Sequence, residues 1–336
     1  MRPKIITLFS IILLSTLVLI IILQSSKSTF TSSENKQEQL FINSAFGETK
    51  HRINRLYLNS NKTEVLLEKN LYDYPTSTYF EENNDIYYTG KLNDGTQKLF
   101  VKNIETSEIN ILTPELNYVD FLQLDKDKNI IYLRTLVNSD DRNFHIATFD
   151  IQTRYIDVWD NKDNDNSVVT YDFSTFLKKM LVVTKSIREE FNNISKANEN
   201  NLSPEPPTYT ISIYSETGTL EKVVLKLNSF ISSATLSLDG ENFLLNYKDK
   251  LEDTSKIGLY NKSEGKIELL LEESKQLMNI REPKFNSDNS GFYFIADNVD
   301  NNEKNTKVYF FNLKKKTIDE IWYKENEQPI NLYLIK

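Results

Sequence analysis

The 336-residue sequence predicts an all-β fold, a six-bladed β-propeller preceded by one N-terminal transmembrane helix, on three observations. A strand–turn–strand unit recurs six times after residue 51, as repeat architectures require. The chain is rich in residues that fit a pleated, half-buried surface, with 19 Phe and 18 Tyr, while Ala is sparse. One long uncharged apolar run stands at the N-terminus.

That run, Ile5 to Leu23, is 19 residues without a charge. As a helix it would span roughly 28 Å, against a hydrocarbon core of about 30 Å. A cleaved signal peptide has a shorter apolar core and a small-residue cleavage site, and Gln24-Ser25-Ser26-Lys27 offers none, so residues 1–24 read as an uncleaved signal-anchor. Arg2 and Lys4 precede the run. The positive-inside rule therefore puts the N-terminus in the cytoplasm and the rest outside, as a single-pass protein of the cell membrane. Residues 25–37, polar and Ser-rich, form a flexible linker, and residues 38–336 form the propeller ectodomain.

The repeated hairpins are RLYLNSNKTEVLL from Arg55, LFVKNIETSEINIL from Leu99, IATFDIQTRYIDVW from Ile146, ISIYSETGTLEKVV from Ile211, IGLYNKSEGKIELL from Ile257 and VYFFNLKKKTIDEIW from Val308. Asn59, Asn103, Asp150, Ser215, Asn261 and Asn312 open their turns, since such side chains bond backbone groups two residues on. A second hairpin precedes five of the six: YFEENNDIYY, LDKDKNIIYL, FSTFLKKMLVV, LSLDGENFLL and FNSDNSGFYF. Four strands per repeat make a sheet too small to bury both faces alone, and radial stacking of such sheets supplies the missing cover. The first hairpin lacks its inner pair. Phe41-Ile42-Asn43 and Pro329 to Ile335 are the candidates to complete it, giving six blades with a composite first blade; five blades plus a cap, or seven blades, are the alternatives.

The stretch PKFNSDNSGFYFIAD from Pro283, followed by VYFFNLKKKTIDEIW, resembles the repeat of the TolB-like, or WD40-like, propeller family. Pro283 is kept in one copy and the Asp239-Gly240 turn in another. The resemblance extends over roughly residues 50 to 324. It implies a propeller fold and a frequent role in protein or glycan binding, and implies no activity.

Residues 185–207 interrupt the fourth repeat. Ser186-Ile187-Arg188-Glu189 has capping-box spacing, and Ile187, Phe191 and Ile194 fall on one face of the helix it would start, before Pro204, Pro206 and Pro207 stop it. Those three residues are a candidate partner-binding loop; an insertion resting on its own blade is the other reading.

For chemistry the sequence offers little. Net charge is −8, and −10 once Arg2 and Lys4 are set aside, which disfavours nucleic acid. With no Cys and two isolated histidines, His51 and His145, neither a zinc site nor a catalytic triad is expected. No G-x-S-x-G and no phosphate-cradling Gly-rich loop occurs. The oxygen-rich segments 160–166 and 297–303 lack EF-hand spacing and read as solvated turns, so no metal and no cofactor is expected. Trp159 and Trp322 end equivalent last strands, and their recurrence suits packing between blades better than a carbohydrate platform. A small ligand would bind where innermost strands converge at the channel mouth, near which the register places Asp120, Asp172, Arg281 and Glu282. No catalytic residue can be named. The leading functional expectation is a membrane-anchored extracytoplasmic binding or scaffold module with a protein or cell-envelope partner. The alternative is a cell-envelope glycan- or peptide-processing enzyme using carboxylates at the channel mouth.

Overall fold

The computed structural model describes residues 38–335 except 48, 72–74, 137–141, 161, 301 and 302. The predicted anchor and linker lie outside the described residues. Among the described residues, no helix is long and apolar enough to cross a membrane. Glu38–Lys336 forms one compact unit.

That unit is six four-stranded antiparallel sheets. Blade two runs Ser77–Phe80, Asp85–Lys91, Gln97–Asn103, Ile109–Ile111, and blade three Tyr118–Asp125, Ile130–Leu136, Phe144–Asp150, Ile156–Val158. Blade four is Asn166–Ser174, Lys179–Ser186, Tyr209–Ser215, Leu220–Leu227, and blade five Phe230–Leu236, Asn242–Lys248, Lys256–Asn261, Lys266–Glu272. Blade six is Leu277–Phe285, Gly291–Asp300, Glu303–Asn312, Thr317–Trp322. In each of these the chain starts at the innermost strand and moves outward, and inner strands of successive blades adjoin.

Blade one is built differently. Its strands are Glu327–Ile335, Gln39–Phe46, Lys50–Tyr57 and Lys62–Asn70, so the C-terminal strand supplies the innermost position and both chain ends share one sheet. Phe41 pairs with Tyr333 and Ile42 with Leu332, with an irregularity after Asn43. The composite first blade expected from the missing inner pair is thus present, and six blades hold over the five- and seven-blade alternatives.

The predicted turn openers act as expected in five hairpins. Asn103 Oδ1 accepts from the backbone amides of Glu105 and Thr106, and Asp150 Oδ1 from those of Gln152 and Thr153. Ser215, Asn261 and Asn312 bond in the same way to Thr217, Ser263 and Lys314. Each such bond satisfies an amide that the tight turn would otherwise leave unpaired.

Period-two alternation gives each sheet two apolar faces, and the core is six layers between blades. In blade one, Leu40 and Ile42 face blade six, where they meet Tyr293, Ile295 and Trp322, whereas Phe41 faces blade two and meets Tyr79 and Ile86. Trp322 is buried there, and Trp159 is buried between blades three and four beside Tyr132, Val168 and Phe173. Both tryptophans occupy the inter-blade positions that their recurrence suggests.

Candidate functional site

The inner strands of successive blades adjoin around the middle of the ring. The cavity left among Phe121, Gln123, Ser233, Glu282, Lys284 and Tyr333 is about 20 Å³, room for one water. Two of the residues there, Phe121 and Glu282, have left-handed backbone (φ 51° and 54°) and sit at breaks in strand register. Bulges of this kind re-aim neighbouring side chains. One consequence is that the four predicted channel residues part company.

Asp172 and Glu282 are close enough for the charge of one to act on the other. Asp172 Oδ2 accepts from Thr235 Oγ1 and from the backbone amide of Leu236, both at 2.9 Å, and Lys284 Nζ lies 3.6 Å from its other oxygen. Asn331 donates to Glu282 Oε2 at 3.1 Å. Glu282 keeps some accessible surface yet sits deep in the ring, where burial raises its carboxyl above the usual range. Lys284, Arg281 and Asn331 oppose that shift, and Asp172 reinforces it.

Arg281 instead spans two blades, donating to the carbonyls of Asn279 (2.9 Å) and Pro329 (3.0 Å). Burial lowers its pKa against the pull of Asp297 and Glu282. Asp120 turns away from the channel into the seam between blades three and four. It is fully buried in a two-point pair with Arg134, at 2.8 and 2.6 Å. The guanidinium lies between the rings of Phe121 and Phe144 and donates to the carbonyls of Val168 and Val169 on blade four. Planar two-point pairing suits Arg and clamps the two blades.

Sequence reasoning missed a buried polar network in blade one. The carboxylate of Glu327, with no exposed side-chain surface, accepts from Ser44 Oγ (2.9 Å), Asn54 Nδ2 (2.9 Å), Arg52 Nη1 (2.7 Å) and Lys324 Nζ (2.6 Å). Burial pushes its pKa up, but the donors, Lys324 foremost, outweigh burial and hold it below the usual range. Nearby, His51 Nε2 lies 3.0 Å from Asn43 Oδ1, which also accepts from Ser77 Oγ at 2.8 Å. Asn43 Nδ2 in turn donates to Asn331 Oδ1 at 3.4 Å, joining this second group of side chains to Glu282. Burial, assisted by the charge of Lys69, lowers the His51 pKa to about 3, so the ring is neutral. The available signal was Asn43 and Asn331 interrupting otherwise apolar strands, LFINSAF and PINLYLI.

The insertion in blade four forms a helix, Ile187–Asn200. Ser186 caps it, accepting from the Glu189 amide, but Glu189 bonds Thr208 rather than closing a capping box. Its inner side is mainly polar: Glu190 pairs with Lys185, and Asn193 donates to the carbonyls of Glu205 and Pro206, beside buried Ala197. Ile187 is half-buried, whereas Phe191 (44% exposed) and Ile194 (38%) face solvent. Segment 160–166 is tied to this end. Asp165 accepts from Ser186 and the Arg188 amide, and Asp163 fastens the amides of Asp165 and Asn166. Among the described residues no group of three or more metal-ligating side chains converges.

Six closed four-stranded blades whose terminal strands share one sheet define the chain as a six-bladed β-propeller. TolB from Acinetobacter baumannii superposes with a TM-score of 0.59 at 13% identity, over 88% of this chain and 66% of that one, just under two thirds of TolB's length. A chain of a nidogen/laminin complex gives 0.58 at 11%, over 88% and 98%. An oligogalacturonate lyase in complex with manganese gives 0.54 at 11%, over 84% and 72%. These likenesses establish the fold and include both binding and enzyme proteins. In sequence, the chain is 25% identical over 279 residues to the uncharacterized protein YdjN of Bacillus subtilis (strain 168), covering 78% of this chain and 79% of that protein. No family model matches.

Proposed function

We propose that the chain is a protein-binding module, held on the outer side of the cell membrane by the Ile5–Leu23 segment, that presents its inserted helix to a partner. The observation carrying this reading is the helix Ile187–Asn200, whose polar side packs on its own blade while Phe191 and Ile194 are turned to solvent. Such anchors on one helical face fit an apolar groove on another protein. At the channel, Asp172 and Glu282 are the groups proposed to meet a small ligand, with Asp120 and Arg281 holding the strands beside them.

The test is capture from detergent-solubilised membranes with the full-length chain and its Phe191→Ser/Ile194→Ser variant. A partner retained by the wild type and lost by an equally stable variant supports the reading. Identical capture by both contradicts it. Protease added to intact cells tests the location, because digestion of everything beyond Gln24 is expected and full protection would overturn the topology.

A further inference from the structure

Blade three ends in an outer strand of three residues, Ile156–Val158, whereas the facing blade four ends in one of eight, Leu220–Leu227. The shorter strand covers only the inner part of its neighbour's face. Outside the packed layer of Tyr132, Trp159, Phe173 and Met180 it leaves a cleft of about 260 Å³.

The uncovered face has a chemistry unlike the rest of the blade. Along the second and third strands of blade four, Leu181, Val183 and Ile211 turn toward blade five and join its apolar layer. The alternate positions turn into the cleft, and there stand the cross-strand pair Thr184 and Thr210, with Ser212 opposite Val182, and Tyr214. Among the described residues none of these four hydroxyls has a hydrogen-bond partner, although Ser212 is only 5% exposed. Thr184, Thr210 and Tyr214 keep accessible surface, so the row presents free donors and acceptors to a polar occupant of the cleft. Trp159 forms an apolar wall. Its ring lies flat against Gly218, whose φ of +81° and missing Cβ allow the approach, since a Cβ there would come within 2.6 Å of the indole. Asp160 and Lys226 stand exposed at the cleft without an ion pair among the described residues.

We propose that this cleft is a saccharide-binding site, taking one or two sugar rings. A sugar offers hydroxyls that both donate and accept, matching the Thr, Ser and Tyr hydroxyls and the Asp160 carboxylate, and a C–H face for the exposed Leu220 and Val223 that line the same cleft. A purely apolar ligand leaves the hydroxyls unpaired, and a phosphorylated one meets two acids, Asp160 and Asp163, against the single Lys226. The site uses neither Phe191 nor Ile194 and does not depend on the protein-binding reading.

The chain has two tryptophans, and Trp322 is buried between blades six and one, so in a Trp322→Phe background Trp159 alone reports on the cleft. Full-length protein in a non-glycosidic detergent is titrated with cellobiose, maltose, chitobiose and N-acetylglucosamine, with inorganic phosphate as control. The expected result is a saturable change in Trp159 emission with at least one sugar and none with phosphate. Binding should weaken about tenfold or more in Thr184→Val/Thr210→Val/Ser212→Ala, with an unchanged melting temperature. If that triple variant unfolds, the exposed changes Asp160→Asn and Lys226→Met are read instead and should weaken binding too. No response to any sugar at millimolar concentration, or binding undiminished in the folded variants, overturns the proposal.

Discussion

The closing blade and the seam between blades three and four each bury an ion pair, and they use it to opposite ends. In blade one Glu327 gathers donors from three separate strands or turns, Ser44, Arg52 with Asn54, and Lys324, at the place where two chain ends more than 280 residues apart must find one register. Apolar burial is non-directional and would tolerate a slipped strand, whereas directional bonds to one carboxylate do not. Between blades three and four the chain is continuous and register is already set by short turns. There the Asp120–Arg134 pair clamps only the inner part of the seam, and the outer part stays open as the hydroxyl-lined cleft. The polar network specifies closure in one region and ties two blades already in register in the other.

Breaking the closing strand should have the largest effect. Deleting Asn331 to Lys336 removes Leu332, buried among Leu40, Ile42 and Tyr293, together with most of the pairing to Gln39–Phe46. Loss of cooperative melting and association through the freed edge are expected, read by calorimetry and size-exclusion chromatography.

Next comes Glu327→Ala, expected to cost about 3–5 kcal/mol because buried donors lose their shared acceptor. Asp120→Asn should cost less, about 1–3 kcal/mol, since Arg134 keeps its carbonyl partners and its place between two aromatic rings. Urea midpoints for both variants check the order. Equal costs would mean that the two pairs are not used differently.

The pH response sharpens the same contrast. Folded His51 titrates near 3 while the unfolded ring titrates near 6.5, so between these values the unfolded chain binds a proton that the folded one does not. Stability therefore falls as pH drops from 6.5, by at most about 1.4 kcal/mol per pH unit. The depressed Glu327 carboxyl contributes stability above the usual carboxylate range and loses it as pH falls below. Glu282, raised by burial, acts in the opposite sense, its contribution fading as pH rises past that range. His51→Gln should flatten the stability profile between pH 4.5 and 6.5 in urea titrations. An unchanged slope would remove His51 as the cause.

Strand alternation and turn chemistry made the blades legible from sequence, because both are local and periodic. The missing inner pair before Arg55 even pointed to the two segments that fill it. The channel was harder: positive φ at Phe121 and Glu282 breaks the period-two count, so register alone could not tell that Asp120 turns to a seam while Asp172 and Glu282 converge. The helix was readable from Ser186 and the spacing of Ile187, Phe191 and Ile194. Its outward apolar side was not, because Glu189 is drawn to Thr208 and Asn193 to Glu205 and Pro206, contacts set by the loop that follows. Glu327 looked like one more surface acid in KENEQ; only the fold brings Ser44, Arg52 and Asn54 around it.

Closure by a composite blade is the central claim, and a cysteine-free chain allows a direct test. Ala45 and Gln328 are cross-strand partners on the two terminal strands, and partners in an antiparallel pair lie about 4.5–5.5 Å apart at Cα, within disulfide reach. Ala45→Cys/Gln328→Cys is expected to form an intramolecular disulfide in the native protein under mild oxidation, and to melt higher oxidised than reduced. Two free thiols persisting in the folded protein, or disulfides formed only between molecules, would contradict it.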